Sequence, residues 1–527
     1  MADYLLAHDL GTSGNKAVLY REDGTLAASA LYEYPTFYPF PGAVEQEPEK
    51  WWEAVCNSTK RLLSETGIPA EKIAAVSFSA QMMGCLLVDK NGEPLRNMLI
   101  WADTRAGKQE AWMKEQIKPE IVYKITGHRI SSSYSAAKLL WVRDHEAELY
   151  KKCWKMIHAK DYIIYKLTGN MVSDYSDASG TNLFDLVKKK WSQELLDAFE
   201  ISEKLLPEVH PSTDIAGKVT AGAAKLTGLR EGTPVVIGGG DGSCACVGAG
   251  VVREGSAYNV LGSSSWISTA SRAPIFDGKM RTFNWVHLDP ELYTPCGTMQ
   301  AAGYSYSWYR NTLCAEERKA APAEGISAYE MINREAAKSR PGAGGLIYLP
   351  YLLGERSPRW NPDARGSLIG LSVTTTKGDI SRAILEGVGY NLKVILDILQ
   401  KKQKIEELIL IGGGAKGKLW LQILADIWQK QIAVPQYLEE ATSMGAAVCA
   451  GVGIGLYPDF AVMEKLNRTE YVIEPNREYK AVYGRMYDIF NESYEALVNV
   501  YGSLADYRRA EEMEHRGRKR RGGEEGK

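Results

Sequence analysis

The sequence predicts an α/β fold made of two similar domains with a cleft between them. Apolar runs of β-forming residues end in turns rich in glycine, serine and threonine in both halves of the chain, near residues 5–14, 234–243, 257–265 and 408–415. Segments with helical spacing separate these strands. Because the same strand and turn recur, we predict a duplicated α/β domain that binds phosphate in the cleft, with a domain boundary near residues 251–255.

Length and composition argue against several classes of function. The 527 residues are too many for one hydrophobic core, 45% of them are hydrophobic, and the formal net charge is −2. That charge balance predicts no nucleic-acid partner, and no apolar run approaches the ~18 residues of a membrane span. The eight cysteines form no CxxC pair, which favours reduced thiols in a cytoplasmic enzyme without a zinc site.

The N-terminal segment predicts a β-meander whose first turn suits phosphate. Residues 4–10 and 14–20 have strand character on either side of a Gly-Thr-Ser-Gly turn, and an Asp-Gly turn precedes a third strand. Thr12 and Ser13 offer hydroxyls beside free backbone N–H groups, which suit phosphate oxygens. Asp9 ends the first strand, where a carboxylate can hold Mg²⁺ through water. A plain hairpin turn is the alternative, and no P-loop pattern occurs here.

Helices and strands alternate through the rest of the first half. A strand at residues 73–78 leads into Gln81, Met82 and Met83. Trp101 and Asp103 follow a short apolar run and are suited to line a polar ligand pocket, although an ion pair between Asp103 and Arg105 is the simpler interpretation. Helices are predicted at residues 49–65, 133–142 and 191–199, and loops at 160–162 and 173–181.

The segment from Pro234 to Gly242 carries the most specific chemical signal. An apolar run predicts a buried strand, three glycines follow it, and the chain then presents Asp241 among small residues. A rigid strand end that aims one carboxylate into open space is a typical arrangement for a general base. A glycine-rich turn with a capping aspartate is the alternative.

The second half repeats the strand-and-turn pattern. Strands predicted at residues 257–261 and 408–411 end in turns of small residues, a helix is predicted at 418–428, and another begins at Met444. From Tyr507 onward the chain is almost all charge. Because glutamates are interleaved with arginines, this favours a solvated or frayed end over a nucleic-acid arm.

Two long motifs carry a family resemblance. The first is Ser133-x-Ser135-x-x-Lys138-Leu139-x-Trp141-Val142; the second is Gly366-x-Leu368-x-Gly370-Leu371, seven residues, and then Asp379-Ile380-x-x-Ala383-Ile384-Leu385-Glu386. With these motifs the chain resembles the FGGY carbohydrate kinases of the actin/hexokinase-like ATPase superfamily, from about Leu5 to at least Gly455. The motif Gly354-Glu355-Arg356-Ser357-Pro358 is most similar to the xylulose kinase branch.

The resemblance implies a fold and a role for each candidate residue. Two RNase H-like domains, at residues 1–252 and 253–505, would close over a sugar and ATP in an interdomain catalytic cleft, with a charged tail at 506–527, and family members are commonly homodimers. Asp241 would take the proton from a sugar hydroxyl, and Asp9 and Asp241 would hold Mg²⁺. The implied sugar-binding residues are Gln81, Met82, Met83, Trp101, Asp103 and Asp241. The implied ATP-binding residues are Thr12, Ser13, Lys16, Gly262, Ser263, Gly413, Gly414, Ala415 and Lys418.

Two departures from the xylulose kinase pattern bear on the substrate. Met83 stands where those kinases usually have a histidine, and Gly242 stands where an asparagine usually follows the catalytic aspartate. A site that loses hydrogen-bonding partners loses discrimination between sugars. The resemblance to the xylulose kinase branch makes D-xylulose the first candidate. The two departures leave another ketose, a polyol or a substrate like autoinducer-2 open. The retained Asp241 and both motifs argue against two further alternatives, a non-catalytic sensor and an actin-like structural ATPase.

Overall fold

The computed structural model describes the backbone of residues 4–524 and the side chains of residues 4–511. The strands are β1 (Tyr4–Leu10), β2 (Gly14–Arg21), β3 (Leu26–Glu33), β4 (Glu45–Gln46), β5 (Ile73–Ala80), β6 (Leu86–Val88), β7 (Met98–Leu99), β8 (Lys155–Ile157), β9 (Val172–Asp174), β10 (Phe184–Asp185), β11 (Lys190–Trp191), β12 (Glu208–His210), β13 (Ile215–Lys218), β14 (Pro234–Val236), β15 (Gly239–Gly240), β16 (Ala257–Leu261), β17 (Ser265–Thr269), β18 (Phe283–Val286), β19 (Tyr293–Met299), β20 (Ile347–Leu349), β21 (Ser367–Ile369), β22 (Glu407–Ile411), β23 (Gln431–Pro435) and β24 (Thr469–Ile473). The α-helices are α1 (Pro48–Thr66), α2 (Gly107–Gln116), α3 (Pro119–Thr126), α4 (Ser135–His145), α5 (Ala147–Lys152), α6 (Ala159–Thr168), α7 (Tyr175–Ser179), α8 (Gln193–Ala198), α9 (Ala221–Thr227), α10 (Asp241–Gly248), α11 (Gly303–Leu313), α12 (Ala315–Ala320), α13 (Ala328–Lys338), α14 (Lys377–Gln400), α15 (Lys418–Trp428), α16 (Ala441–Gly453), α17 (Met463–Leu466) and α18 (Lys480–Glu524).

Each half of the chain builds a mixed sheet of the same design. The first sheet has the order β13-β14-β5-β1-β2-β3, with β15 also paired to β5, and the second has the order β18-β19-β17-β16-β22-β23-β24. In the first, the antiparallel strands β1 to β3 are extended by β5, which runs parallel to β1. In the second, the antiparallel strands β16, β17 and β19 are extended by β22 and β23, which run parallel to β16. The predicted duplication of an α/β domain is confirmed.

Helix ends follow the local sequence. Pro48 opens α1, where its missing N–H costs nothing, and Gly67 closes the helix in the left-handed conformation. Thr376 and Asp379 form a reciprocal capping box at the start of α14. Because α1 packs on β2 and β3 while α14 packs on β17 and β19, each sheet has its own hydrophobic core.

The two halves meet where α10 crosses α16. A Cβ atom on Gly445 would lie 2.0 Å from the carbonyl oxygen of Cys244, so only glycine allows the helices to approach this closely. Beyond the crossing, α16 packs against β1 and β5 of the first sheet, although it belongs to the second half of the chain. The start of α10 is Asp241, so the predicted base lies next to this junction.

Three expectations about local structure were wrong. Residues 160–162 lie in helix α6 rather than a loop, because the side chain of Asp161 caps the backbone N–H of His158 at its first turn. Residues 175–179 form the short helix α7. Of the two forms expected for the charged tail, solvated or frayed, the frayed one is wrong, because the backbone from Tyr507 to Glu524 continues α18. Among the helices described between residues 4 and 524, none is both long and apolar enough to cross a membrane.

Candidate active site

A glycine-dependent turn places Asp241 at the end of the first sheet. Gly239 and Gly240 pair with Ser79 and Ala80 at the end of β5, and helix α10 begins at the next residue. Gly238 has a φ of +73°, and a Cβ atom there would lie 2.1 Å from the carbonyl oxygen of Phe78. The turn therefore requires glycine at this position. It directs the chain so that Asp241 lines a cavity between the two halves.

The surroundings of Asp241 raise the pKa of its carboxyl group toward neutral pH. Its side chain is open to the cavity, but enough protein surrounds it that desolvation, followed by repulsion from Asp9, raises its pKa to about 7. Burial likewise raises the pKa of Asp9 to about 6, against the opposing effects of the Ser79 hydrogen bond and the Lys16 charge. A carboxylate with a pKa near 7 is matched to accepting a proton at physiological pH.

The cavity beside Asp241 has a volume of about 180 Å³ and is walled mainly by aromatic side chains and methionines. Both halves of the chain contribute to it. Its lining residues are Met82, Met83, Trp101, Asp241, Gly242, Tyr258, Ser264, Trp266, Ser268, Phe283, Trp285, Thr294, Cys296, Thr298 and Arg356. A small, largely apolar cavity with a few convergent polar groups is the usual form of a small-molecule site.

Four of the residues predicted to bind sugar line this cavity, and two do not. Met82, Met83, Trp101 and Asp241 belong to its wall. Asp103 is fully buried behind it, where it accepts hydrogen bonds from Arg105 Nε and from the backbone N–H of Val44. The structure thus shows the Asp103–Arg105 ion pair that the sequence offered as the simpler interpretation.

Gln81 lies behind the cavity and supports the first phosphate-type turn. Its amide Nε2 donates to Gln46 Oε1 at 2.7 Å, and Gln46 Nε2 donates to the carbonyl oxygen of Thr12 at 2.6 Å. Trp101 Nε1, from the cavity wall, donates to Thr12 Oγ1 at 3.0 Å. Thr12 is therefore held by residues that lead directly to the cavity, while the turn itself is closed by a 3.0 Å bond from Gly11 N–H to the carbonyl of Gly14.

Lys138, from the first family motif, fixes the loop that carries the two methionines. Its fully buried ammonium donates to the carbonyl oxygens of Met83, Ile100 and Ser133 at 2.7–2.9 Å. Burial lowers its pKa to about 7. Met83 itself has a φ of +62°, a left-handed conformation that is uncommon for a residue other than glycine. The lysine thus holds a strained loop against the cavity.

Most of the remaining residues predicted to bind ATP lie in three places in the second half of the chain. The carbonyl oxygens of Gly262 and Ser263 accept hydrogen bonds from the first residues of α11, and the adjacent Ser264 lines the cavity. Residues Gly413–Lys416 form one turn of 3₁₀ helix just before α15. Lys418 begins α15 and lies over the Tyr471 ring. Lys16, by contrast, is paired with Glu440 at 3.3 Å, across the two halves of the chain.

The Asp9 and Asp241 carboxylates fit a cation that arrives with phosphate. Within the described part of the chain, no cluster of three or more histidine, cysteine, aspartate or glutamate residues could hold a metal ion by itself. Mg²⁺ is commonly bound by one or two carboxylates together with phosphate oxygens and water. The mutual repulsion of these two carboxylates is the kind of unfavourable interaction that such a cation relieves.

Sequence reasoning missed most of the cavity wall. Phe283, Trp285 and Cys296 come from strands β18 and β19, where they read as ordinary core residues. Arg356 was noted only as part of a motif. The signal that would have identified them is tertiary, since the wall forms only when the second sheet approaches the turn at Asp241.

Comparison with known proteins identifies the family. The model of the FGGY family of carbohydrate kinases, N-terminal domain, matches residues 4–248, and that of the C-terminal domain matches residues 257–454. The chain is 34% identical to a xylulose kinase of Staphylococcus epidermidis over 506 residues, which cover 95% of this chain and 98% of the relative. It is 32% identical to a gluconokinase of Bacillus subtilis over 514 residues, or 97% and 99% of the two chains.

The solved structures agree with this assignment. A ligand-bound xylulose kinase from Lactobacillus acidophilus superposes with a TM-score of 0.89 at 28% identity, covering 95% of this chain and 99% of that one. These matches assign the two domains to the actin-like ATPase fold that the family of kinases shares. The chain belongs to the FGGY family of carbohydrate kinases and is an ATP-dependent phosphotransferase that acts on a sugar.

Proposed function

We propose that this kinase transfers the γ-phosphate of ATP to a hydroxyl group of a ketopentose, with D-xylulose as the first candidate. The observation that carries the proposal is the position of Asp241, whose carboxylate has a pKa of about 7 and lines a sugar-sized cavity between the two domains. The xylulose kinases among the relatives support the choice of sugar.

Asp241 acts as the general base in the proposed reaction. Its carboxylate accepts the proton of the sugar hydroxyl while that oxygen bonds to the γ-phosphorus and the bond from that phosphorus to the β–γ bridging oxygen breaks. ADP leaves, and the proton on Asp241 returns to water through the open side of the cavity. Bound Mg²⁺, held by Asp9 and Asp241, would neutralise charge on the phosphates.

The other residues of the site bind and orient the two substrates. Thr12, Ser13 and Lys16 contact the β- and γ-phosphates from the first domain, at residues 1–252, and Gly262 and Ser263 contact them from the second, at residues 253–505. The adenosine lies along Gly413, Gly414, Ala415 and Lys418. Because Trp101 lines the sugar cavity and also donates to Thr12, it couples the sugar site to the phosphate turn. Met82 and Met83 pack against the sugar carbons.

One observation favours a second candidate, a sugar acid such as gluconate. Arg356 is the one cationic side chain among the residues that line the cavity, and within the described residues it forms no ion pair. Its guanidinium lies 5.8 Å from the centre of the Phe283 ring. A guanidinium without an acidic partner suits a carboxylate. If gluconate is the substrate, Arg356→Gln lowers kcat/KM for gluconate far more than for D-xylulose.

The direct test compares the wild type with Asp241→Asn. We expect the variant to lose about 10²- to 10⁴-fold in the rate of sugar phosphorylation, the range typical of a general base. Binding of ATP, followed by isothermal titration, should stay near the wild-type value. An asparagine variant that phosphorylates the sugar at the normal rate removes Asp241 from the role of base.

A further inference from the structure

A buried cluster of charged side chains lies directly behind the catalytic turn. Lys160 Nζ is 2.9 Å from Asp161 Oδ1, 3.1 Å from Asp174 Oδ1 and 3.3 Å from Asp177 Oδ2, and all four side chains are fully buried. Burial opposes the charge on Lys160, but the three carboxylates outweigh it and hold its pKa well above the usual value. Such a cluster is expensive to bury and therefore calls for an explanation.

Asp174 connects this cluster to both sides of the turn that precedes Asp241. On one side, Ser176 Oγ donates to Asp174 Oδ2 at 2.5 Å and accepts the backbone N–H of Gly240 at 2.9 Å. On the other side, Ser212 Oγ donates to the same carboxylate oxygen at 2.7 Å, and the Ser212 carbonyl accepts the N–H of Gly238 at 2.9 Å. One carboxylate oxygen thus anchors the turn at two points.

The anchored segment has little freedom to move. A Cβ atom added to Gly239 would lie 2.8 Å from Ser176 Oγ and 3.5 Å from Asp174 Oδ2, so the turn is packed directly on these side chains. Lys160 holds Asp174 through its other carboxylate oxygen, Oδ1, which leaves Oδ2 for the two serines. Lys160 therefore holds the Asp174 carboxylate in place, and that carboxylate in turn holds the turn through the two serines.

We propose that Asp174 and Ser176 are positioning residues for phosphoryl transfer, which act by holding the backbone at Gly240 so that the Asp241 carboxylate meets the sugar hydroxyl. The proposal rests on the proposed role of Asp241 as the base. Ser212 provides the second arm. None of these three lines the cavity, so their effect reaches the substrate only through the position of Asp241. A shift of about 1 Å in a catalytic group can cost on the order of 10²-fold in rate.

The test uses Ser176→Ala and Ser212→Ala in the full chain, with Ser173→Ala as the matched control. Ser173 is a buried serine of the same segment whose hydroxyl has no hydrogen-bond partner among the described residues. We expect Ser176→Ala to lower kcat by about 10-fold or more, and Ser212→Ala by a smaller factor. The dissociation constant of the sugar, followed by fluorescence of the cavity tryptophans, and the KM for ATP should change less than about twofold.

The outcomes separate this proposal from the one it rests on. A loss of kcat without a loss of substrate binding in Ser176→Ala, with a normal Ser173→Ala, supports the positioning role. Wild-type kcat in Ser176→Ala, while Asp241→Asn is inactive, overturns the positioning role alone. If Ser176→Ala weakens sugar binding and lowers the melting temperature along with kcat, the role of Ser176 is merely structural, and the positioning proposal is overturned. A fully active Asp241→Asn overturns both proposals.

Discussion

Asp241 owes its raised pKa to two features of its surroundings. The first is desolvation between the two domains, and the second is the negative charge of Asp9 at the end of β1. Neither belongs to the residue itself, since an aspartate in water is ionised well below pH 5. The same carboxylate on an open surface would be too weak a base to assist proton transfer.

The rate of sugar phosphorylation should therefore depend on pH in a defined direction. The base must be ionised, so kcat/KM for the sugar should rise with pH and level off above an apparent pKa at or below about 7, because a cation bound beside Asp241 relieves part of the repulsion from Asp9. Protonation of Asp9, whose pKa is about 6, steepens the fall at lower pH. The measurement is kcat/KM at saturating Mg-ATP from pH 5.5 to 8.5, with ATP binding measured in parallel. A flat profile across that range contradicts the assignment.

We expect substitutions at Met83 to change the preference of the enzyme among sugars. Its left-handed φ of +62° disfavours β-branched replacements, but histidine enters that region more readily than most residues. We expect Met83→His to raise kcat/KM for D-xylulose by about 10-fold, because a hydrogen-bonding partner for a sugar hydroxyl is restored. The matched control is Met83→Leu, which changes the shape of the wall without adding a hydrogen bond. Equal effects of the two variants would show that the ring of histidine makes no such contact.

Among the secondary-structure elements, the connection from β14 to α10 determines where the Asp241 carboxylate lies. Gly238→Ala adds a Cβ atom 2.1 Å from the carbonyl oxygen of Phe78 and forces a left-handed φ on alanine. We expect the turn to shift, activity to fall by about 10²-fold and the free energy of unfolding to fall by at least about 1 kcal/mol. Enzyme assays and denaturant titration measure the two effects.

Gly222→Ala is the control for that substitution. Gly222 lies in α9, and a Cβ atom there meets nothing within 4 Å. Alanine is the better helix former, so the control should be as stable as the wild type or slightly more stable. If Gly238→Ala matches the control in both activity and stability, the turn tolerates a side chain and the account of its geometry is wrong.

The sequence predicts the elements of this fold better than its cavity. Strand β16 and helix α15 have the predicted bounds, because the apolar run of β16 ends at a turn that begins with Gly262, and the helical period of α15 begins directly after the glycine-rich turn at residues 412–417. Helix α6 was missed because the charges of Lys160 and Asp161 look like those of a loop, while the cluster that neutralises them comes from distant residues. The cavity wall was missed for the same reason, since β18 and β19 reach it only in the folded chain.

At the scale of the whole molecule, the crossing of α10 and α16 joins the two domains next to the base. Gly445→Ala places a Cβ atom 2.0 Å from the Cys244 carbonyl oxygen and must push the helices apart. Because α10 begins at Asp241, we expect kcat to fall by about 10-fold or more while circular dichroism keeps its wild-type form.

The same variant tests whether the domains close over the substrates. Transfer to a sugar must exclude water, so the wild type should contract in small-angle scattering when sugar and an ATP analogue bind, and Gly445→Ala should contract less. Gly484→Ala is the matched control, because a Cβ atom on Gly484 in α18 meets nothing within 4 Å. A contraction of normal size in Gly445→Ala would show that closure does not pass through this crossing.

The most direct test of a cavity that accepts a sugar beside Asp241 is the release of ADP from Mg-ATP by the purified protein. The acceptor compounds to compare are D-xylulose, L-xylulose, the ribuloses, erythrulose, D-gluconate, glycerol, the pentitols and the autoinducer-2 precursor. We predict little ADP release without sugar, the highest kcat/KM with D-xylulose, and sugar-dependent release lowered about 10²- to 10⁴-fold in Asp241→Asn. ADP release that is equally fast without sugar, or that stays near the wild-type rate in Asp241→Asn, would contradict the role of Asp241 as the base.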